Sequence, residues 1–110
     1  MKVNQRDIVL LNFELPNGSY KTHPALVISN QNVLEAEDIF YAVMISTKEY
    51  HDEFTFELKN TMLTKPLSKT SFIKCQLIQS YTVNEVISKL STIKPTYFEQ
   101  IRQTIFETVF

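Results

Sequence analysis

Lys21-Thr22-His23-Pro24-Ala25-Leu26-Val27-Ile28-Ser29-Asn30 is the stretch on which the fold turns. Ala25 to Ser29 is too short and too apolar for a lone helix, and its Val-Ile content marks a buried strand. On the N-terminal side, Asp7 to Leu15 is another β-rich apolar run, with Ile8, Val9, Leu10, Leu11, Phe13 and Leu15, ended by Pro16-Asn17-Gly18-Ser19. Gly18 is the only glycine of the chain, and Asn-Gly supplies the positive φ of a sharply bent hairpin turn.

Working outward on the other side, Asn30 to Asp38 is polar and acidic and reads as a loop or one helical turn. Ile39 to Ser46 is again continuously apolar, a central strand, and Thr47 to Asp52 is a polar loop carrying Lys48, Tyr50 and His51. Glu53 to Leu58 alternates, Phe54, Phe56 and Leu58 against Glu53, Thr55 and Glu57, as a half-buried strand does. After a loop with Lys65-Pro66, Ser71 to Gln79 alternates too, with Ile73, Cys75 and Leu77 opposed to Phe72, Lys74 and Gln76. Cys75 therefore lies in an apolar row and reads as a buried structural thiol.

Thr82-Val83-Asn84-Glu85 has the spacing of a capping box, and Val83, Val86, Ile87 and Leu90 follow at helical intervals. Pro95 suits the first turn of a further helix, whose buried stripe is Phe98, Ile101, Ile105 and Val109. The expected fold is mainly β with C-terminal helices: residues 1–110 as one domain, an SH3-like antiparallel β-barrel of about five strands followed by a terminal helix or two.

Composition narrows the function. A net charge of −1 offers no general affinity for nucleic acid, so any such role requires a local basic patch. One glycine cannot build a phosphate-cradling loop. His23 and His51 stand on separate segments with no metal-ligand spacing, so neither a metal nor another cofactor is expected. The single cysteine fits a reducing cytosol, Lys2, Arg6 and Asp7 interrupt any apolar leader, and no window is apolar enough to span a membrane, so a cytoplasmic location is expected.

What remains is a set of polar residues expected in loops at strand ends: Lys21, Thr22 and His23, then Ser46, Thr47, Lys48, Tyr50 and His51. Hydroxyls, imidazoles and ammonium groups are the tools of metal-free phosphodiester chemistry. An imidazole takes a proton from a ribose 2′-hydroxyl near neutral pH, and lysines and hydroxyls steady the charge that develops on phosphate oxygens. Taken by itself, a lone histidine before a proline is more often a loop residue without a task.

The whole chain resembles the MazF/PemK toxins. Arg6-Asp7 and the apolar run to Phe13, then Pro16, Gly18 and Pro24-Ala25-Leu26-Val27-Ile28-Ser29-Asn30, follow the opening pattern of that family. Val43-Met44-Ile45-Ser46-Thr47 is similar to its strand ending in Ile-Thr or Ile-Ser, and Ser71 to Ile78 to the strand that feeds its C-terminal helices. The resemblance implies a CcdB/MazF-type barrel, a homodimer, and a cognate antitoxin whose C-terminal segment occupies the toxin groove, with operator DNA bound only through the antitoxin complex. It also implies metal-independent endoribonuclease cleavage of single-stranded RNA, leaving a cyclic phosphate and a free 5′-hydroxyl. The family's Arg before the second-strand Pro and its Thr or Ser ending the third strand fall here on His23 and Ser46, with Thr47 the neighbouring hydroxyl.

Two positions depart from the pattern. His23 stands in place of the Arg, so either His23 is the acid or base while Lys21 or Lys48 supplies charge, or the site is altered. Arg6 replaces the glycine common before the first Asp, a change expected to be harmless. Tyr20 and Tyr50 are the aromatics expected to stack unpaired bases, their bland alternative being surface or dimer-contact tyrosines, and Lys21, Thr22, Lys48 and His51 complete the expected RNA contacts. The same fold also suits a non-catalytic module that binds antitoxin, gyrase or operator DNA, or a purely structural barrel.

Overall fold

The computed structural model describes residues 2–110. The elements are β1 (Asp7–Glu14), β2 (Tyr20–Val27), α1 (Gln31–Ala36), β3 (Ile39–Ser46), β4 (Thr55–Leu58), β5 (Ser71–Thr82), β6 (Ser88–Thr92) and α2 (Pro95–Val109). The six strands form one antiparallel sheet in the order β4-β5-β3-β2-β1-β6. The sheet curls until its two ends meet. Leu63, after β4, bridges Ile93, after β6, with Thr64 N–H donating to the Thr92 carbonyl at 2.9 Å and Lys94 N–H to that of Met62 at 2.8 Å. The barrel is thus joined at one bridge, with no continuous β4–β6 ladder.

The central strands read as unbroken apolar runs because both of their faces are covered. Ile8, Leu26, Val43, Ile45 and Ile73 point into the curl, where Phe98 and Ile101 of α2 pack with them. Val9, Leu11 and Phe13 of β1, Ala25 and Val27 of β2, and Phe40 and Ala42 of β3 point the other way, under Val3, Leu34, Tyr81, Val83 and Val86. Burying these side chains stabilises the fold by about 25 cal/mol for each Å² of apolar surface removed from water. The hairpin turn is as expected: Gly18 has φ 85, and Asn17 Oδ1 accepts from both the N–H and the hydroxyl of Ser19. Pro95 opens α2. No helix among the described residues is long and apolar enough to cross a membrane.

Three local expectations need correction. The capping box at Thr82 is present, but it starts only a single 3-10 turn over Val83–Glu85. The next residues straighten into β6 because Ser88–Thr92 hydrogen-bonds to β1, so there are six strands and one C-terminal α-helix. Second, β5 changes phase. The β3–β5 register shifts between Val43 and Ile45, the extra β5 residues bulge, and Ile78 replaces Leu77 on the core face, leaving Leu77 exposed. Third, β2 starts at Tyr20, so Lys21, Thr22 and His23 lie in a strand and not in a loop.

Arg6 has φ 80, the left-handed region that suits glycine. An L side chain there costs roughly 1–2 kcal/mol. Its backbone is pinned nonetheless: Arg6 N–H donates to the Val27 carbonyl at 3.0 Å, its carbonyl accepts from Ile93 at 2.9 Å, and its guanidinium donates to the Ile93 carbonyl at 2.7 Å. The exchange of Gly for Arg trades backbone ease for this anchor. Arg6→Gly should therefore change stability by no more than about 1 kcal/mol, relief of strain offsetting one lost hydrogen bond. Arg6→Ile, β-branched and without the anchor, should be at least ~2 kcal/mol less stable in urea denaturation.

Candidate active site

The site starts from a proline. Backbone groups along a strand point alternately to its two neighbours. Val27 faces β1, since its carbonyl accepts from Arg6, and Ile28 faces β3, since its N–H donates to Tyr41. Counting back, Pro24 faces β3, where it has no N–H to donate. The β2–β3 ladder accordingly runs Val27↔Ala42, Leu26↔Val43, Ala25↔Met44 and stops. The β1–β2 ladder, on the other side, continues unbroken to Glu14↔Tyr20. Beyond Ala25 the strands β2 and β3 are free to part. By strand alternation His23 lies on the face of Ala25 and Ser46 on the face of Met44, at the ends of β2 and β3 beyond their last pair.

His23 is held from behind. It pairs with Leu11 across β1, and its ring meets the edge of Phe13 at a centroid distance of 5.8 Å and an interplanar angle of 81°. Phe13 in turn packs on Tyr81. Half-burial against these rings holds the imidazole pKa below its usual 6.5, and the nearby Lys21 ammonium pushes it the same way. Hydrogen bonding to the Ile45 backbone, whose carbonyl Pro24 leaves without an N–H partner, pulls in the opposite direction. The net result is an imidazole that is neutral at pH 7, the form that accepts a proton.

Ser46 ends β3, and its Oγ accepts from Lys48 N–H at 3.1 Å, fixing the direction in which the next loop leaves. Thr47 and Pro24 line a groove of about 240 Å³ whose far wall is Pro66, Leu67 and Leu90. Thr22 hydroxyl donates to Asn12 Oδ1 at 2.9 Å on the exposed surface, and Tyr20 is two-thirds exposed with an unoccupied ring. His51 stands exposed at a loop, 3.9 Å from Glu49. Tyr50 is committed elsewhere: Lys74 Nζ lies 3.5 Å from its ring centroid and Lys48 Nζ 5.1 Å. Among the described residues no three His, Cys, Asp or Glu side chains cluster as metal ligands would.

Lys74 is the residue that sequence reading misses. Strand alternation puts it opposite the apolar row, yet it is only 4% exposed. Its ammonium donates to Thr55 Oγ1 at 2.8 Å, sits 3.7 Å from Asp52 Oδ2, and lies under Tyr50. One buried charge thus ties down the loop that carries Thr47 and Lys48. The only signal in sequence is the register Thr55↔Lys74, which is fixed by tertiary pairing. Beside it, Cys75 is fully buried, and burial pushes its thiol up to about 11, as a structural thiol requires.

The model of the family described as PemK-like, MazF-like toxin of type II toxin-antitoxin system matches residues 4–109. The chain belongs to this family of toxins. Its fold is that of MazF toxins of known structure. An endoribonuclease in complex with its cognate antitoxin, from a mycobacterial species, superposes with a TM-score of 0.81 at 15% identity over 97% of this chain and 94% of that one. A MazE–MazF complex from Deinococcus radiodurans gives 0.78 at 14% identity over 99% and 97%. The Mycobacterium tuberculosis toxin MazF-mt6 gives 0.74 at 14% identity over 91% and 92%. No curated protein matches the chain by sequence.

Two measurements probe this geometry. In an NMR titration, His23 should show a midpoint below 6.5. Because the folded state resists the proton that the unfolded chain accepts, stability should be constant above about pH 7 and fall as pH drops from 6.5 through the His23 midpoint, a loss that His23→Gln removes. Lys74→Met should raise amide exchange across residues 47–54 about tenfold over the rest of the sheet, because the loop loses its buried anchor.

Proposed function

We propose that this MazF/PemK-family chain is an endoribonuclease that cuts single-stranded RNA without a metal, and that His23 is its general base. The observation that carries this reading is the neutral, half-buried imidazole of His23 beside the end of β3, where Pro24 interrupts the β2–β3 ladder. His23 takes the proton of a ribose 2′-hydroxyl. The 2′-oxygen then attacks the adjacent phosphorus and the bond to the 5′-oxygen breaks; the leaving oxygen takes a proton from water and the His23 imidazolium returns its proton to solvent, giving a 2′,3′-cyclic phosphate and a free 5′-hydroxyl. Ser46 and Thr47 supply hydroxyl donors to the phosphate oxygens, and Lys21 and Lys48 the positive charge that an arginine at position 23 would have given. Thr22 and His51 lie on the flanking surface and contact RNA outside the reacting phosphate. Tyr20 is the better stacking platform of the two tyrosines, since the ring of Tyr50 is occupied by lysine ammonium groups.

The endoribonuclease and the MazE–MazF complex that share the fold support a cognate antitoxin as partner. Operator DNA is then reached only through the antitoxin complex, in the cytoplasm. A homodimer is the natural cover for exposed apolar side chains such as Phe106, Val109 and Phe110 at the end of α2.

Purified protein in EDTA should cleave single-stranded RNA to products with cyclic phosphate ends. His23→Ala should lower the rate by about 10²–10⁴, the usual contribution of a positioned base. Full activity in the His23→Ala protein overturns the role of His23. Growth arrest on expression with intact cellular RNA overturns the nuclease.

A further inference from the structure

Ile73 and Cys75 point into the curl of the sheet with Val43 and Ile45, and Phe56, the partner of Ile73, packs on the same core. By alternation Lys74 and its partner Thr55 point to the opposite face. That face carries Phe13, Ala25 and Val27, and His23 lies on it against Phe13. The chain between β3 and β4 folds over Lys74 there. Its ammonium lies 3.5 Å from the Tyr50 ring centroid, 3.7 Å from Asp52 Oδ2 and 2.8 Å from Thr55 Oγ1. The loop 47–54 is therefore a wall on the His23 side of the sheet.

The two ends of this loop are tied by backbone groups. Lys48 N–H donates to Ser46 Oγ at 3.1 Å, Phe54 N–H to Asp52 Oδ1 at 2.8 Å, and Cys75 N–H to the Phe54 carbonyl at 2.9 Å. Between them the loop is held through Tyr50, since the pair of Glu49 with His51 is exposed and 3.9 Å apart. Burying an ammonium is costly, and a methionine of similar length would pack in the same place without that cost. What the charge adds is direction. Thr55 fixes the ammonium, the ammonium fixes the π face of Tyr50, and Lys48 Nζ lies over that ring at 5.1 Å, within cation–π reach. Lys48 forms no ion pair with any described residue, so the ring is what orients it.

We propose that Lys74 is a positioning residue: its buried ammonium sets the ring of Tyr50, and that ring seats the Lys48 ammonium on the His23 side of the sheet, ready for the phosphate. The role in the reaction rests on the ribonuclease reading, and the test separates the two. The first measurement is NMR of the Lys48 ε-methylene protons, which the ring current of Tyr50 should place upfield of their position in the urea-unfolded chain. Lys74→Met and Tyr50→Leu should each return them toward the unfolded value, and Tyr50→Phe, which keeps the ring, should not. The second is a double-mutant cycle on cleavage of single-stranded RNA in EDTA. Lys74→Met should lower kcat about tenfold in the native chain and less than about twofold in the Lys48→Gln background, because the ammonium it seats is already gone. A merely structural loss slows both backgrounds alike.

An unmoved Lys48 resonance in Lys74→Met overturns the proposal. So does full cleavage by that variant, or an equal loss of kcat in the two backgrounds. Should Lys74→Met fail to fold, Tyr50→Leu, at an exposed loop side chain, takes its place in both measurements, since the ring carries the link. Native protein that does not cut RNA removes the ribonuclease alone, and the resonances then judge the seating of Lys48 by themselves.

Discussion

Pro24 occupies the middle of β2 with its nitrogen turned toward β3, and a nitrogen without hydrogen holds nothing there. In most sheets a proline so placed would be a defect, confined to an edge. Here the other side of β2 is zipped to β1 over seven consecutive pairs, so the strand keeps its course while its hold on β3 lapses. The result is a sheet that is rigid behind His23 and open in front of it. A loop could present an imidazole to the same gap, but it would not hold it to within the few tenths of an ångström that the proton transfer proposed for His23 needs.

The same economy applies to charge. Lysines that look alike in the sequence do different work. Lys89 neutralises a buried carboxylate and so fastens the N-terminal segment to β6. Lys74 is buried to hold a loop. Lys65 and Lys69 form no ion pair with any described residue.

The parts of this architecture that are local in origin were legible in the sequence. Asn17-Gly18 makes the turn it announces, Ile39 to Ser46 is the central strand, Cys75 is buried, and Pro95 begins α2. Reading failed where a partner decides. Val83 to Leu90 has helical spacing and a real capping box, but pairing of Ser88–Thr92 with β1 outweighs a nucleus only one turn long. Leu77 and Ile78 exchange faces because of a bulge that no alternation pattern records. At the candidate site, position 23 was visible but its strand was not, and Lys74 read as a solvent-facing lysine because Thr55 and Asp52 come from elsewhere in the chain. Arg6, expected to be a harmless replacement, occupies a left-handed backbone position that only the fold reveals.

Cys75 has one more implication. It is the only sulfhydryl of the chain, fully covered by the core, with its proton held until about pH 11. Oxidants and alkylating reagents meet no thiolate while the sheet is closed. Two chains joined through sulfur must each have opened first. Covalent dimers on a non-reducing gel therefore record past unfolding, and the rate at which a maleimide reacts is a clock for the opening of the curled sheet, read with no label added elsewhere.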